Sequence, residues 1–562
     1  MYKSSSSIQS ATADILAAHG VRDVIVSPGS RNASIIEAMS ESSHFRITRV
    51  VDERSAGFIG LGIASITNRP VAVVCTSGTA LLNYAPALAE AYYRNIPLIC
   101  VSADRPAEWI DQNDSQTMRQ PGALANVVKG TYDIGRGAGE DSMWEAERLL
   151  NNAMFTALDE VRGPVHVNIH LPDCASECME SDSGEARIIE MLPSRRDITY
   201  NDAGRLAETI SSTSKVMVLC SCAAPDSGLM QALTSLSKLD NIVVLAERVS
   251  NVSVRDAVFA PEAVIGSMDE EKKSEMAPEL LITIGGAPIS AGLKKYLRQY
   301  SPARHWNLGY TRAVIDCYKA LTLRIEADPA MVLAKIAKQM PESSVGGDYF
   351  RKWNVAYERA RSLIQGYASR APWSDFKAMG FIASQIPARW NIQLSNGMAV
   401  RYFELLSVGR YHRADCNRGV SGIDGCTSTA VGAAMAYNDT TLLITGDMSA
   451  AYDLGGLALA REAERLKIVV LCNSGGNIFR TIRATRELTV CEPYLASMPE
   501  LPLRSLAQAY GMGFYEASDE AELREAWRGF AAHSGPAILA VNTSPQISAE
   551  VYRGFFGFMS KN

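Results

Sequence analysis

The sequence predicts an α/β fold of three doubly wound, mainly parallel-sheet domains. Two patterns carry this prediction. Short runs of β-branched and other apolar residues alternate with amphipathic helical stretches along the chain. Turn residues follow the runs, as Ser27–Arg31 follows the run ending at Val26 and Thr76–Thr79 follows the run ending at Cys75. This alternation is typical of parallel sheets with helices on both faces.

The apolar runs fall into three groups along the chain. The predicted strands are Asp23–Val26, Val71–Cys75, Leu98–Ser102, Val165–Ile169, Val216–Cys220, Ile242–Leu245, Leu280–Ile284, Leu321–Ile325, Ile392–Ser395, Leu442–Thr445, Ile468–Leu471 and Ile538–Val541. Two polar stretches, Asp173–Asp197 and Met340–Asp348, separate the groups. We therefore expect a domain over 1–180, a central domain over 198–340 and a third domain over 349–562.

The composition is that of a soluble globular protein. The chain has 562 residues, of which 47% are hydrophobic and 21% charged, so a large core can form without disulfides. A net charge of -6 does not favour a nucleic-acid or anionic-membrane partner. The 11 cysteines lack zinc-site or redox-motif spacing, and the N-terminus lacks the apolar core of a signal peptide. We expect a cytoplasmic protein.

The segment between Leu442 and Phe479 is the most informative about chemistry. One predicted strand ends in Gly446–Ser449, a helical pattern covers Leu454–Arg465, and a second strand ends in Cys472–Gly476. Carboxyl ends of parallel strands lie at one edge of a sheet. We therefore expect Asp447 and Asn473 at the tips of neighbouring strands.

This pair of side chains suits a magnesium ion that binds a diphosphate. Mg²⁺ takes few protein oxygens and completes its octahedron with phosphate and water, so Asp447, Asn473 and the Gly475 carbonyl are candidate ligands. Gly446 allows close backbone approach, and Ser449 begins a helix whose N–H groups favour phosphate. Gly-Asp alone would indicate an ordinary turn. Twenty-five residues separate Asp447 from Asn473, a spacing that resembles the thiamin-diphosphate motif.

Glu53 is the candidate for the carboxylate that activates such a cofactor. It stands in Asp52-Glu53-Arg54, between a predicted strand and the small-residue helix Gly57–Ala64. Thiamin diphosphate needs an acid that hydrogen-bonds its aminopyrimidine nitrogen, while the cofactor itself carries the difficult chemistry. In isolation this charged turn would favour a solvated acid. The assignment rests on the larger match of which the turn is part.

Several motifs occur in the order found in one family. They are Ser27–Arg31, Asp52–Ala56, Thr76–Thr79, Ala103–Pro106, Gln116 with Arg119–Gln120, Asn417–Gly419, Ser421–Gly425, Gly446–Ser449 and Gly475–Phe479. Together they resemble the 2-succinyl-5-enolpyruvyl-6-hydroxy-3-cyclohexene-1-carboxylate synthase family of menaquinone biosynthesis. The resemblance covers the first and last thirds well and the middle weakly. Met448 departs from the leucine of the family motif, and Gly397 replaces a serine found in some members.

The resemblance implies decarboxylation of 2-oxoglutarate and conjugate addition of the succinyl carbanion to isochorismate. Both substrates are dianions, which arginine forks bind well. The implied substrate-site residues are Ser30, Arg31, Arg105, Gln116, Lys294, Arg401, Arg418, Phe479 and Ile482. The implied cofactor-site residues are Glu53, Ile423, Gly446, Asp447, Ser449, Asn473, Gly475, Ile478 and Phe479. Glu53 would be catalytic, and the metal would be Mg²⁺ or Mn²⁺.

The superfamily resemblance further implies a homo-oligomer, at least a dimer and commonly a tetramer, because the glutamate domain of one subunit faces the phosphate domain of another. We expect no flavin in the central domain. Two alternatives stay open, namely a different thiamin-diphosphate 2-keto-acid carboligase or decarboxylase, and a non-catalytic cofactor-binding regulator on the same fold. A nicotinamide dehydrogenase is disfavoured because no Gly-x-Gly-x-x-Gly follows the first strand.

Overall fold

A computed structural model describes residues 7–135, 140–171, 186–192, 194–340, 347–407, 409 and 411–561. The first third of the chain contains strands β1 (Asp23–Val26), β2 (Arg46–Arg49), β3 (Val71–Cys75), β4 (Leu98–Asp104), β5 (Thr131–Ile134) and β6 (Val165–His170). Its helices are α1 (Ile8–Ala18), α2 (Ala33–Ser40), α3 (Glu53–Thr67), α4 (Ala80–Asn83), α5 (Ala85–Arg94) and α6 (Glu140–Leu158).

The middle third is built in the same way, from alternating strands and helices. Its strands are β7 (Val216–Cys220), β8 (Ile242–Ala246), β9 (Leu280–Ile284), β10 (Arg304–Leu308) and β11 (Leu321–Ile325). Its helices are α7 (Tyr200–Ser211), α8 (Ser227–Leu236), α9 (Pro261–Gly266), α10 (Glu270–Glu275), α11 (Ala291–Gln299) and α12 (Pro329–Gln339).

The last third begins with two helices and then alternates. Its strands are β12 (Asn391–Leu394), β13 (Arg413–Cys416), β14 (Thr441–Gly446), β15 (Leu466–Cys472), β16 (Gly513–Ala517) and β17 (Ala537–Asn542). Its helices are α13 (Tyr349–Arg370), α14 (Asp375–Gln385), α15 (Met398–Leu406), α16 (Cys426–Ala436), α17 (Asp447–Tyr452), α18 (Asn477–Thr481), α19 (Arg483–Arg486), α20 (Leu503–Ala509), α21 (Glu520–Ala532) and α22 (Pro545–Lys561).

Three sheets confirm the predicted α/β class. Their strand orders are β2-β1-β3-β4-β6-β5, β11-β10-β9-β7-β8 and β13-β12-β14-β15-β17-β16. When the strands are numbered within each sheet, the first and third sheets have the same order, 2-1-3-4-6-5. The central strands β3, β7 and β9 are fully buried, which explains why parallel strands here are continuous apolar runs rather than alternating ones.

All twelve predicted strands are present, with ends that agree within two residues. The sequence analysis missed β2, β5, β10, β13 and β16. Four of these five lie at a sheet edge, where one neighbour is absent and the apolar signal is weaker. The exception, β10, is interior but carries His305 and Asn307, whose side chains hydrogen-bond to Thr283.

The predicted helix over Leu454–Arg465 is wrong. A 3-10 helix covers Leu454–Leu459 instead, and turns follow it. Asp453 ends the preceding helical segment because its buried carboxylate accepts hydrogen bonds from the backbone and hydroxyl of Ser428, both at 2.7 Å. Gly456 also packs closely against this serine, since a Cβ there would lie 2.8 Å from the Ser428 nitrogen.

The chain divides into two compact units. The first comprises Met1–Ser194, Gly419–Asn438 and Tyr452–Leu466, and the second comprises Arg195–Arg418, Asp439–Ala451 and Lys467–Asn562. In the first unit, α3 and α16 pack closely because both are rich in small residues. In the second unit, one apolar core runs from the middle sheet to the last sheet, and Trp353 and Phe376 are fully buried in it.

The expected linkers fall largely outside the described residues, which omit 172–185, 193 and 341–346. The domain boundaries at 180, 198, 340 and 349 therefore stay predictions. None of the helices in the described ranges combines the length and apolar character needed to cross a membrane.

Candidate active site

Asp447 lies where the sequence analysis expected it, directly after β14 and beside β15, the next strand of the third sheet. Its carboxylate accepts hydrogen bonds from the backbone N–H groups that follow β15. Asn473 donates to Oδ2 at 3.1 Å, and Gly475 donates to Oδ2 at 3.0 Å and to Oδ1 at 3.2 Å. The prediction that Asp447 and Asn473 lie at the tips of neighbouring strands is confirmed.

The side chain of Asn473 has one engaged end and one open end. Its Nδ2 donates to Asp375 Oδ2 at 2.7 Å. Its Oδ1 is buried and has no hydrogen-bond partner among the described residues. A buried oxygen without a partner costs about 1 to 3 kcal/mol, so this atom is a natural ligand for a cation.

Burial raises the pKa of Asp447 to about 6. The N–H groups of Gly475 and Met448 oppose this shift, while the nearby charge of Asp375 adds to it. Asp375 is itself completely buried. Two carboxyl groups therefore interact in a buried place, where each disfavours the charge of the other.

The surroundings leave room for a bound group. A Cβ at Gly446 would meet no atom within 4 Å. Gly475 has a φ of +120°, and a Cβ there would lie 2.0 Å from the Ala496 carbonyl oxygen, so this position requires glycine. Ser449 is buried in the first turn of α17. The donors available are a carboxylate, an amide oxygen and the Gly475 carbonyl, all of which suit Mg²⁺.

Within the described ranges, no group of three or more His, Cys, Asp or Glu side chains could hold a metal. The proposed site does not depend on such a group, since it combines one carboxylate with amide and carbonyl oxygens.

Glu53 is the first residue of α3 in the first unit, after the N-cap Asp52. The side chain is half-buried, and among the described residues no hydrogen bond or ion pair engages its carboxylate. Burial raises the pKa of Cys75 and Tyr84, and the Glu53 charge contributes to both shifts. The carboxylate is therefore close to the apolar end of β3.

The loop Ser421–Gly425 lies against the same helix. A Cβ at Gly425 would lie 2.2 Å from the ring of Phe58, and the φ of +67° also favours glycine. Ile423 in this loop is half-buried. The structure thus brings Ile423 and α3, which begins at Glu53, into one unit.

The first-unit candidates for substrate binding differ in their surroundings. Ser30 is exposed, whereas Arg31 is buried and donates to the Leu171 carbonyl at 3.3 Å. Arg105 pairs with Asp114 at 2.6 Å, so its charge is partly neutralised within the chain. Gln116 is exposed.

Gln116 has an unusual backbone. Its φ is 55°, in the left-handed region, and a Cβ at Gly78 would lie 3.5 Å from its carbonyl. This places Gln116 beside the Thr76–Thr79 loop. The loop is held in turn by Gln120, whose Oε1 accepts from the Gly78 N–H at 2.6 Å.

In the second unit, Lys294, Arg401 and Arg418 come together. Lys294 Nζ and Arg418 Nη2 both donate to the Pro288 carbonyl, at 3.4 and 3.3 Å. Burial lowers the pKa of Arg401, and the positive charge of Arg418 is among the further causes. Three cations this close together favour anionic ligands. Arg401 also donates to the Gly397 carbonyl, and the φ of +91° at Gly397 explains why glycine stands there.

Two buried carboxylates accompany these cations. Glu262 accepts from the Gly292 N–H at 2.8 Å, and its raised pKa, caused by burial, is opposed by the charges of Arg401 and Lys294. Burial raises the pKa of Glu247, against N–H donors and the charge of Arg418. The sequence analysis did not identify either residue.

The apolar candidates lie on and after α18. Ile478 and Phe479 are half-buried, and Ile482 is 45% exposed. The helix is anchored by Arg480, which donates to both oxygens of Glu492, at 2.9 and 3.0 Å.

The sequence analysis also missed two buried carboxylates whose hydrogen-bond partners are distant in sequence. Glu90 of α5 accepts from the N–H groups of Gly419 and Val420, both at 2.8 Å. Asp375, behind Asn473, begins α14. A buried position for Glu90 could be anticipated from the apolar face of α5, but its contact with Gly419 could not.

Two family models match this chain. Residues 7–123 match the model of the thiamine pyrophosphate enzyme N-terminal TPP binding domain, and residues 395–541 match that of the C-terminal TPP binding domain. These ranges contain Glu53 and the Asp447–Asn473 pair, respectively.

Relatives match nearly the whole chain. The chain is 36% identical to the 2-succinyl-5-enolpyruvyl-6-hydroxy-3-cyclohexene-1-carboxylate synthase of Porphyromonas gingivalis, over 97% of this chain and 96% of the relative. Enzymes of the same name from Bacteroides thetaiotaomicron and Desulfotalea psychrophila are each 34% identical, over 96% and 94% of this chain and 97% and 96% of the relatives. The chain therefore belongs to the 2-succinyl-5-enolpyruvyl-6-hydroxy-3-cyclohexene-1-carboxylate synthase family of thiamin-diphosphate-dependent enzymes.

Proposed function

We propose that this protein decarboxylates 2-oxoglutarate and adds the succinyl unit to isochorismate, releasing CO2 in menaquinone biosynthesis. The product is 2-succinyl-5-enolpyruvyl-6-hydroxy-3-cyclohexene-1-carboxylate. The observation that carries this proposal is the similarity to synthases of that name over 97% of the chain. The clustered cations Lys294, Arg401 and Arg418 support it, because both substrates are dianions.

Asp447, Asn473 and the Gly475 carbonyl would hold Mg²⁺, or Mn²⁺ in its place. The buried and unpartnered Oδ1 of Asn473 supports this role. Gly446 and Ser449 would lie against the diphosphate. When bound, thiamin diphosphate supplies the nucleophilic carbon and the electron sink for decarboxylation.

Glu53 would hydrogen-bond the aminopyrimidine ring nitrogen and hold or release a proton there. Its half-buried carboxylate, without a hydrogen bond or ion pair in the described part of the chain, is available for that contact. Ile423, Ile478 and Phe479 would supply apolar contacts to the cofactor.

The substrate carboxylates would be bound by arginine and lysine side chains. Each charge-assisted hydrogen bond of this kind contributes about 1.5 to 3 kcal/mol. Phe479 would also form part of the apolar wall of the substrate site. The proposed polar contacts come from Ser30, Arg31, Arg105, Gln116, Lys294, Arg401 and Arg418, and Ile482 completes the wall.

The working enzyme would be a cytoplasmic homo-oligomer, at least a dimer and commonly a tetramer, as the superfamily resemblance implies. The proposed domains, 1–180, 198–340 and 349–562, correspond to pyrimidine-binding, central and diphosphate-binding parts. Light scattering coupled to size exclusion measures the assembly directly. A fully active monomer would contradict the proposed oligomer.

The decisive experiment supplies 2-oxoglutarate and isochorismate with and without thiamin diphosphate and Mg²⁺. We expect turnover only with both substrates and the cofactor. Turnover with pyruvate alone would favour a different keto-acid enzyme. Cofactor binding with no turnover of any keto acid would favour a regulator.

Two variants test the assigned roles. Glu53→Gln should lower kcat by about 100-fold or more, the range expected for loss of an acid–base group. Glu37→Gln, at an exposed glutamate of the same unit, is the matched control and should leave kcat unchanged. Asp447→Ala should abolish the magnesium dependence of cofactor binding in calorimetry, and a normal affinity would refute the metal role.

A further inference from the structure

Asp375 is a buried carboxylate that lies directly behind Asn473. It is the first residue of α14 and is 0% exposed. Its Oδ2 accepts from Asn473 Nδ2 at 2.7 Å, and its Oδ1 accepts from the Thr543 hydroxyl at 2.6 Å. Both carboxylate oxygens are therefore engaged, and one of them contacts a proposed metal ligand.

This contact decides which way the Asn473 amide points. An amide has a donor end and an acceptor end, and Oδ2 of Asp375 is the acceptor in this contact. The Nδ2 end must therefore face Asp375, and Oδ1 must face the other way. Oδ1 is buried and has no protein partner in the described ranges, so Asp375 holds a bare oxygen ligand in place. Turning the amide over would oppose two oxygen acceptors in a buried place.

Asp375 is itself held by two residues near the C-terminal end of β17, Thr543 and Ser548. Its backbone N–H donates to Ser548 Oγ at 3.0 Å. Thr543, which binds the other carboxylate oxygen, follows β17, and its N–H donates to the Cys472 carbonyl at the end of β15 at 3.0 Å. The carboxylate is therefore linked through Thr543 to the end of β15, the strand that Asn473 follows.

We propose that Asp375 is a positioning residue of the metal site. It orients the Asn473 oxygen toward the ion through the 2.7 Å contact with Nδ2. The inference rests on the proposed role of Asn473 as a magnesium ligand. Residues that orient metal ligands typically contribute about 10- to 100-fold to metal affinity.

An exchange of the two side chains tests this pairing. In Asn473→Asp, two carboxylates face each other at the 2.7 Å contact, and we expect Mg²⁺ affinity to fall by about 10- to 100-fold. In the double variant Asn473→Asp/Asp375→Asn, the new amide at 375 can donate to the new carboxylate at 473. Affinity should then recover to well above the value expected from adding the two single effects.

The readout is Mg²⁺ affinity by isothermal titration calorimetry with thiamin diphosphate present, for both single variants and the double variant. The proposal would be overturned if the free-energy effects of the two single variants add up to the effect of the double variant, within about twofold in Mg²⁺ affinity. Residues that do not interact show such additive effects. Absence of Mg²⁺ binding by the natural protein would instead refute the proposed metal site itself. Circular dichroism checks that each variant is folded.

A second variant does not depend on a new carboxylate. Asp375→Leu removes the acceptor at similar size and leaves the Asn473 amide free to turn. We expect about a 10- to 100-fold loss of Mg²⁺ affinity. An unchanged affinity in this folded variant would also overturn the proposal.

Discussion

Replacing Gly62 with alanine should destabilise the first unit, although alanine is normally the better helix residue. Gly62 lies inside α3, the helix that begins at Glu53. A Cβ at this position would lie 2.1 Å from the Thr429 carbonyl oxygen and 2.8 Å from the Ala433 nitrogen, both in α16. Both obstacles are backbone atoms, so a change of side-chain rotamer cannot relieve the clash.

The magnitude follows from two opposing effects. Alanine should gain about 1 kcal/mol over glycine in a helix interior. Overpacking usually costs about 1 to 3 kcal/mol, and this clash belongs at the upper end because ordinary contacts begin more than 1 Å farther out. The facing Gly432 has the same close approach, with a Cβ 2.0 Å from the Ile59 oxygen, so the clash can be relieved only if the two helices separate and lose packing at both positions. The net loss should be about 2 kcal/mol.

Urea unfolding followed by circular dichroism measures the effect. Gly557→Ala is the matched control, since Gly557 is an exposed glycine inside α22 whose Cβ would meet no atom within 4 Å. We expect the control to keep or raise the unfolding midpoint, and Gly62→Ala to lower it. Equal or higher midpoints for both variants would refute the proposed close contact between α3 and α16.

Three further predictions concern other sites. Burial lowers the pKa of His166 from 6.5 to about 4. Between pH 6.5 and about 4 the unfolded chain therefore binds more protons than the folded chain. The free energy of unfolding should fall by about 3 kcal/mol as the pH decreases through this window. His166→Gln should remove this part of the pH dependence in urea titrations, and an unchanged profile would contradict the assignment. Glu90→Ala leaves two N–H groups without their acceptor and should lower the free energy of unfolding by about 1 to 3 kcal/mol. Glu90→Gln should lower it less, and equal urea midpoints for the natural protein and both variants would contradict this expectation. Arg418→Lys keeps the charge but loses the two-point contact with Asn396 and Pro288, so KM for at least one substrate should rise about 10-fold, and unchanged KM values would exclude a substrate role.

Much of the proposed catalytic centre was accessible from local sequence. Asp447 and Asn473 follow apolar strands, and parallel strands end at a common edge, so their proximity could be inferred before any coordinates. Lys294 was tied to the substrate site only by the family resemblance, whereas the structure brings it to the same carbonyl as Arg418. The helix expected at Leu454–Arg465 was wrong. Asp453, at its start, is hydrogen-bonded to Ser428, and no local pattern indicates this partner.

The sequence by itself determined the α/β class, the central strands and the Gly-Asp and Asn motif, because each depends on residues close together along the chain. Only the tertiary structure decided which buried carboxylates contact Asn473 and Gly419. Asp375 and Asn473 are 98 residues apart, and Glu90 and Gly419 are 329 apart. Such contacts form when separate elements pack, and hydrogen-bonding chemistry alone does not select the partner in advance.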